Sequence, residues 1–183
     1  LANVAMTTDA HTRSWYWCNA TSTMPNGDKG SPGVGNSACG ITVTQPVDVC
    51  RLKAPYDLGP LDATNIPLSY ATFSEPGITN RSSTTNDFFP HVDGQAGVGQ
   101  SPDATHPSWV FVDGAFNSAY TTAGPLDEMV AALSFPSSGL WRWAWRFRLV
   151  DPFTGVPGAW TYCDQAGVAN PVNGAWGTIQ VRP

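Results

Sequence analysis

Between Gly139 and Asp151 the sequence reads GLWRWAWRFRLVD, with its large apolar residues on every second position. Trp141, Trp143, Trp145, Phe147 and Leu149 form one set, and Arg142, Ala144, Arg146 and Arg148 fill the places between. Side chains of a strand alternate between its two faces, whereas a helix would mix the sets. The stretch is therefore predicted to be one long strand with an apolar face and a cationic face. The apolar set has the size and spacing of the inner face of a packed sheet, each aromatic burying about 150 to 250 Å². The arginines are expected to point outward, pairing with acids on neighbouring strands or stacking on aromatic rings rather than capturing an acidic polymer.

Shorter runs of the same kind recur, separated by Gly, Pro, Asn and Asp. They are SWYWCNA, GITVTQPVDV, IPLSYATFS, SWVFVDGAFN, EMVAALSF, AWTYCD and WGTIQVRP. Within GPLDEMVAALSFP a short helix competes with a strand, and the alternation of Met129, Ala131, Leu133 and Phe135 favours the strand. Residues 21 to 40 and 80 to 107 read as loops, the second long enough for a binding loop or a surface excursion. The expected fold is all-β: an immunoglobulin-like antiparallel β-sandwich with long loops and an N-terminal extension. One domain spans 1–183, with N-terminal strands and a loop-rich extension over 1–67 and the sandwich core over 68–183.

Charged residues make up 13% of the chain, with a net charge of -5 and only Lys29 and Lys53 as lysines. That balance lacks the cationic footprint of a nucleic-acid binder and leaves a largely neutral, polar surface. The start, LANVAMTTDAHT, has neither a basic segment nor an apolar run, as expected of an exported protein whose signal peptide has been removed. No apolar run approaches the ~20 residues of a membrane helix, so no membrane insertion is expected.

Cys18, Cys39, Cys50 and Cys163 lack the close pairs of a structural zinc site, and disulfides in an oxidising compartment are the better reading. Of the three connectivities, Cys39 with Cys50 closes a short loop, and Cys18 with Cys163 joins two cysteines flanked by aromatics; this pairing is favoured.

Enzyme motifs are weak. GNSACG, Gly35 to Gly40, departs from a nucleophile elbow where Cys39 stands, and His11, His91 and His106 bear no fixed relation to a serine. Glu75 and Glu128 are the only glutamates, and nothing defines a pair of facing carboxylates. Asp93, Asp103 and Asp113 lack calcium-loop spacing and read as turn formers. No catalytic residue, metal or cofactor is expected. The candidate ligand or assembly surface comprises Trp15, Trp17, Phe88, Phe89, Trp160 and Trp176 near turns, with Arg142, Arg146 and Arg148. Asn19 and Asn80 stand in glycosylation triplets.

From Leu68 onward the motifs YATFSEPGITN, SWVFVDGAFN, DEMVAAL, GLWRWAWRFRL, GAWTYCD and NGAWGTIQV follow one another in an order that resembles a disulfide-containing β-sandwich repeat of secreted and surface proteins of myxobacteria and related bacteria. Trp17, Cys18 and Asn19 match its early Trp-Cys-Asn; Gly139, Trp143, Trp145, Arg146, Trp160, Tyr162, Cys163 and Asp164 match its later strands. The resemblance implies a Cys18 to Cys163 bridge, with no catalytic residues and no specified ligand. The segment with Cys39 and Cys50 is not part of that pattern.

Together these features lead to an expected extracellular or cell-surface structural subunit, acting in filament assembly or adhesion. Its expected partners are copies of itself or other extracellular proteins. A carbohydrate-binding module using exposed aromatics on a polysaccharide is the alternative, and a secreted hydrolase the lesser one.

Overall fold

The computed structural model describes residues 46–62, 64–75, 79, 86, 91–121, 126–150 and 155–183. These residues form eleven strands and, among them, no helix. The strands are β1 (Val49–Leu52), β2 (Asp57–Asp62), β3 (Leu68–Ser74), β4 (Val92–Gly99), β5 (Val110–Asp113), β6 (Ala115–Phe116), β7 (Asp127–Ala132), β8 (Gly139–Leu149), β9 (Thr161–Cys163), β10 (Val168–Ala169) and β11 (Gly177–Arg182). One sheet has four antiparallel strands in the order β1-β3-β7-β6.

The other sheet has seven strands and is organised by β8. One side of β8 pairs with β4, which carries β5 at its far edge. The other side divides along its length, its first half pairing with β11 and its second with β9. Parallel β2 lies beyond β11 and β10 beyond β9. At eleven residues, β8 has the length to serve three neighbours.

The two sheets face each other across one core, the arrangement of a β-sandwich. Trp143, Trp145 and Phe147 are fully buried, and Trp141 and Leu149 nearly so, as the alternation predicted. Phe147 stacks on Phe73 of the opposite sheet with ring centroids 4.7 Å apart. Met129 and Ala131 of β7 enter the same core, so the strand reading of that segment holds. Within 1–67 the described strands are β1 and β2, which supply Cys50, Leu52, Leu58 and Leu61 to this core; of these the expected GITVTQPVDV meets β1 only at Val49, and β2 was not expected.

Three expectations are corrected. Residues 80 to 107 contain β4, a strand with six of its eight residues buried. Its glycines, which suggested a loop, stand where rings press on the backbone: a Cβ on Gly94 would strike Met129 and Phe147, one on Gly97 would strike Phe111, and one on Gly99 would strike Trp109. In GITVTQPVDV, residues 40–45 lie outside the described residues, and the strand that is described begins only at Val49. Finally, Cys50 is bonded to Cys163, which overturns both favoured pairings and the bridge implied by the resemblance. The short loop gives way because β1 lies beside β9: Leu52 N–H donates to Asp164 O at 3.0 Å, and Val47 N–H to Thr161 Oγ1 at 3.1 Å. Cys18 and Cys39 lie outside the described residues.

Candidate functional site

The outward face of β8 carries the three arginines into a lattice of rings and amides. Register places Arg146 opposite Gln95 of β4 and Tyr162 of β9, and Arg148 opposite Asp93. Arg146 Nε and Nη2 donate to Gln95 Oε1 at 3.0 and 2.6 Å. Its guanidinium lies 3.7 Å from the Phe111 ring centroid and 4.3 Å from that of Trp160. Arg148 also covers Trp160, at 4.2 Å, and its Nε donates to Asp93 Oδ2 at 2.8 Å. Arg142 donates to Gln100 O. Each stacked contact stabilises the face by about 0.5 to 2 kcal/mol, whereas the part-exposed Arg148 to Asp93 pair contributes about 1 kcal/mol or less.

A smaller apolar cluster of Ala104, Trp109, Ala144 and Trp176 covers the adjoining part of this face. Trp176 Nε1 donates to Pro102 O at 2.6 Å and Trp109 Nε1 to Ser101 O at 3.1 Å, so each buried indole N–H has a backbone partner. Between this cluster and Arg146 lies a cleft of about 350 Å³, bordered by Gln95, His106, Trp109, Phe111 and Tyr162.

The loop at its rim holds Asp103, whose Oδ1 accepts from Thr105 Oγ1 at 2.7 Å and Thr105 N–H at 2.8 Å. These bonds, the hydroxyl first, hold the Asp103 carboxyl below its ordinary value of 3.8, with a smaller contribution from His106. A depressed carboxylate pKa means that the turn's contribution is complete above the unfolded value and is lost as pH falls through the folded one. In a carbon-detected NMR titration Asp103 is expected to titrate below 3.8, and Thr105→Val should move that midpoint upward. His106 Nδ1 lies 2.8 Å from Ser108 Oγ and also accepts from Ser108 N–H at 3.1 Å. Both groups are exposed and two residues apart, so this contact shapes the turn.

A second polar cluster lies across the four-stranded sheet, on the side facing away from the core. Glu128 alternates with the core residue Met129 along β7, and its side chain is fully buried. Its two carboxylate oxygens have different partners: Lys53 Nζ is 2.6 Å from Oε2, and Asn117 Nδ2 donates to Oε1 at 2.6 Å. Asn86 fixes the backbone around them, accepting from Glu128 N–H at 2.8 Å and donating to the carbonyls of Asn117 and Glu128, each at 2.9 Å. The Lys53 ammonium also lies 4.9 Å from the centroid of Tyr120 and 5.8 Å from that of Tyr70. A cleft of about 370 Å³ opens beside Lys53, Tyr70, Asn117 and Glu128. Buried charge of this kind persists only when paired and hydrogen-bonded, which these contacts accomplish.

Of the residues expected to form a ligand or assembly surface, Arg142, Arg146, Arg148 and Trp160 share one face, with Trp160 half-buried between two guanidiniums. Trp176 is 5% exposed and belongs to the small apolar cluster rather than to an open platform. Trp15, Trp17, Phe88, Phe89, Asn19, Asn80 and the GNSACG stretch lie outside the described residues. Asp93 and Asp113 are engaged separately, Asp113 with Gln95 Nε2 at 2.8 Å. The Lys53, Asn86, Asn117 and Glu128 cluster was not anticipated. Its one sequence signal is the acid pair Asp127 and Glu128 at the head of an apolar strand, and its partners converge only through strand pairing.

Compared with protein-family models and with curated proteins, the chain gives no match.

Proposed function

We propose that this chain is a non-catalytic structural protein of the extracellular space or cell surface, which self-associates by adding a strand at the edge of its seven-stranded sheet. The observation that carries this reading is β5. Among the described residues it pairs only with β4, and it exposes Val110 at 58% and Val112 at 39%. An edge with exposed apolar side chains and no Lys or Pro is a template for another strand. The strand-like SWYWCNA of a second copy is the donor we assign to it. Few charges oppose such contact, and the Cys50 to Cys163 bridge suits an oxidising compartment.

We read the sandwich as immunoglobulin-like. The orders β1-β3-β7-β6 and β5-β4-β8-β11 support this, because they follow the alternation of strands between two sheets in that fold. The resemblance of residues 68 to 183 to repeats of secreted and surface proteins points the same way.

Light scattering coupled to size exclusion tests the reading. The full chain is expected to form oligomers, and Val110→Lys combined with Val112→Lys, or deletion of residues 1 to 20, which removes the donor stretch, to yield monomers with an unchanged circular dichroism spectrum. A parent chain that stays monomeric at high concentration overturns it. That result would favour a polysaccharide ligand instead, for which the cleft between Arg146, Tyr162 and Trp109 is the specific support.

A further inference from the structure

We propose that Lys53 and Asn117 become joined by an intramolecular isopeptide bond, with Glu128 as the catalytic residue. The reason lies in how one carboxyl group is used. Lys53 Nζ is held at Oε2 and Asn117 Nδ2 at Oε1, both at 2.6 Å, so an amine nucleophile and an amide leaving group stand on adjacent oxygens of a fully buried acid. Asn117 Oδ1 accepts from Ala119 N–H at 3.1 Å, which places a donor where negative charge develops when the amide carbon is attacked. Tyr120 and Tyr70 confine the ammonium on its other side. Asn86 is not the reacting amide, because its Nδ2 is committed to two backbone carbonyls.

The step balances without an oxidant or a co-reactant. Glu128 Oε2 takes a proton from the Lys53 ammonium, leaving a neutral amine and a carboxylic acid. The Nζ lone pair attacks Asn117 Cγ, forming the Nζ to Cγ bond while the carbonyl oxygen takes up charge against Ala119 N–H. Glu128 delivers that proton to Nδ2 as the Cγ to Nδ2 bond breaks and the carbonyl re-forms, and as carboxylate again it takes the second proton from Nζ. Ammonia leaves, takes up the remaining proton as ammonium, and Glu128 returns to carboxylate. Holding both groups on one carboxylate supplies the proximity that an amide otherwise lacks as an acyl donor.

Lys53 directly follows β1 and Asn117 directly follows β6, the two edge strands of the four-stranded sheet. The bond would lace that sheet from edge to edge across its outer face, while Cys50 to Cys163 ties the same β1 to the opposite sheet. The inference rests on this geometry alone and does not depend on self-association.

High-resolution mass spectrometry of the reduced, purified full chain decides it. The expected mass is about 17 Da below that of the sequence, the loss of one ammonia. Tandem spectra should show one branched peptide joining Lys53 to Asn117, with no tryptic cleavage after Lys53. Glu128→Gln and Lys53→Arg should each restore the full mass for their sequence, and Lys53→Arg, which keeps the cation at a half-exposed position, guards against a folding failure in the first. A folded parent chain of full mass overturns the proposal. So does a loss of ammonia that persists in Lys53→Arg, or one that maps to succinimide at Asn26-Gly27 or Asn173-Gly174.

Discussion

Replacing Cys50 and Cys163 together by alanine is expected to lower the unfolding free energy by about 3 to 5 kcal/mol. The bridge spans 113 residues of sequence and so restricts most of the described chain when it unfolds. In the chain-entropy account a loop of roughly 100 residues contributes about 4.7 kcal/mol. Both cysteines are fully buried where β1 meets β9, so the double substitution also leaves a small void, while a single one would leave a buried thiol. Urea unfolding followed by far-ultraviolet circular dichroism measures the effect. The midpoint should fall, and the slope should rise because an uncrosslinked chain exposes more surface when unfolded. A loss under about 1 kcal/mol would mean that the backbone bonds from Leu52 and Val47 hold β1 in place unaided.

Trp145→Ala is expected to cost about 3 to 5 kcal/mol, the range for removing a buried aromatic side chain. The Trp145 ring is fully buried, stacks on Phe147 at 5.7 Å between centroids, and rests against Gly114, which has no side chain to hinder it. Its Nε1 donates to Ser69 Oγ at 3.2 Å, joining the two sheets through a polar contact inside the core. Arg148→Ala, three positions along and on the opposite face, should cost less, about 1 to 2 kcal/mol, because its ion pair is partly exposed and its other contact is the stack on Trp160. Equilibrium unfolding of the two variants side by side reads the asymmetry of β8. Equal losses would contradict the assignment of one face to the core and the other to solvent.

That asymmetry is legible in the sequence, because period-two alternation from Trp141 to Leu149 admits one backbone geometry. The arginine and aromatic ladder was also among the expected outcomes, though its aromatic partners were not assigned: Phe111 and Trp160 reach Arg146 from separate segments. Two strands are hidden in the sequence for a common reason. β4 is rich in glycine because rings from other elements occupy the space of its side chains. β2 reads DLGPLD, and its Pro60 is tolerated because the strand lies at a sheet edge, where a missing N–H breaks no second ladder. In each case the local residue type reports a neighbour rather than a turn.

The sequence by itself determined the class of the fold, the two faces of β8, the aromatic core and the neutral character of the surface. These follow from side-chain chemistry and its spacing along one chain. Only the tertiary structure decided that Cys163 bonds Cys50, that β4 is an interior strand between β5 and β8, and that Lys53 and Asn117 meet on Glu128. Each of these joins residues remote in sequence, and their proximity is set by which strands pair and in what register, a property of the whole packed chain.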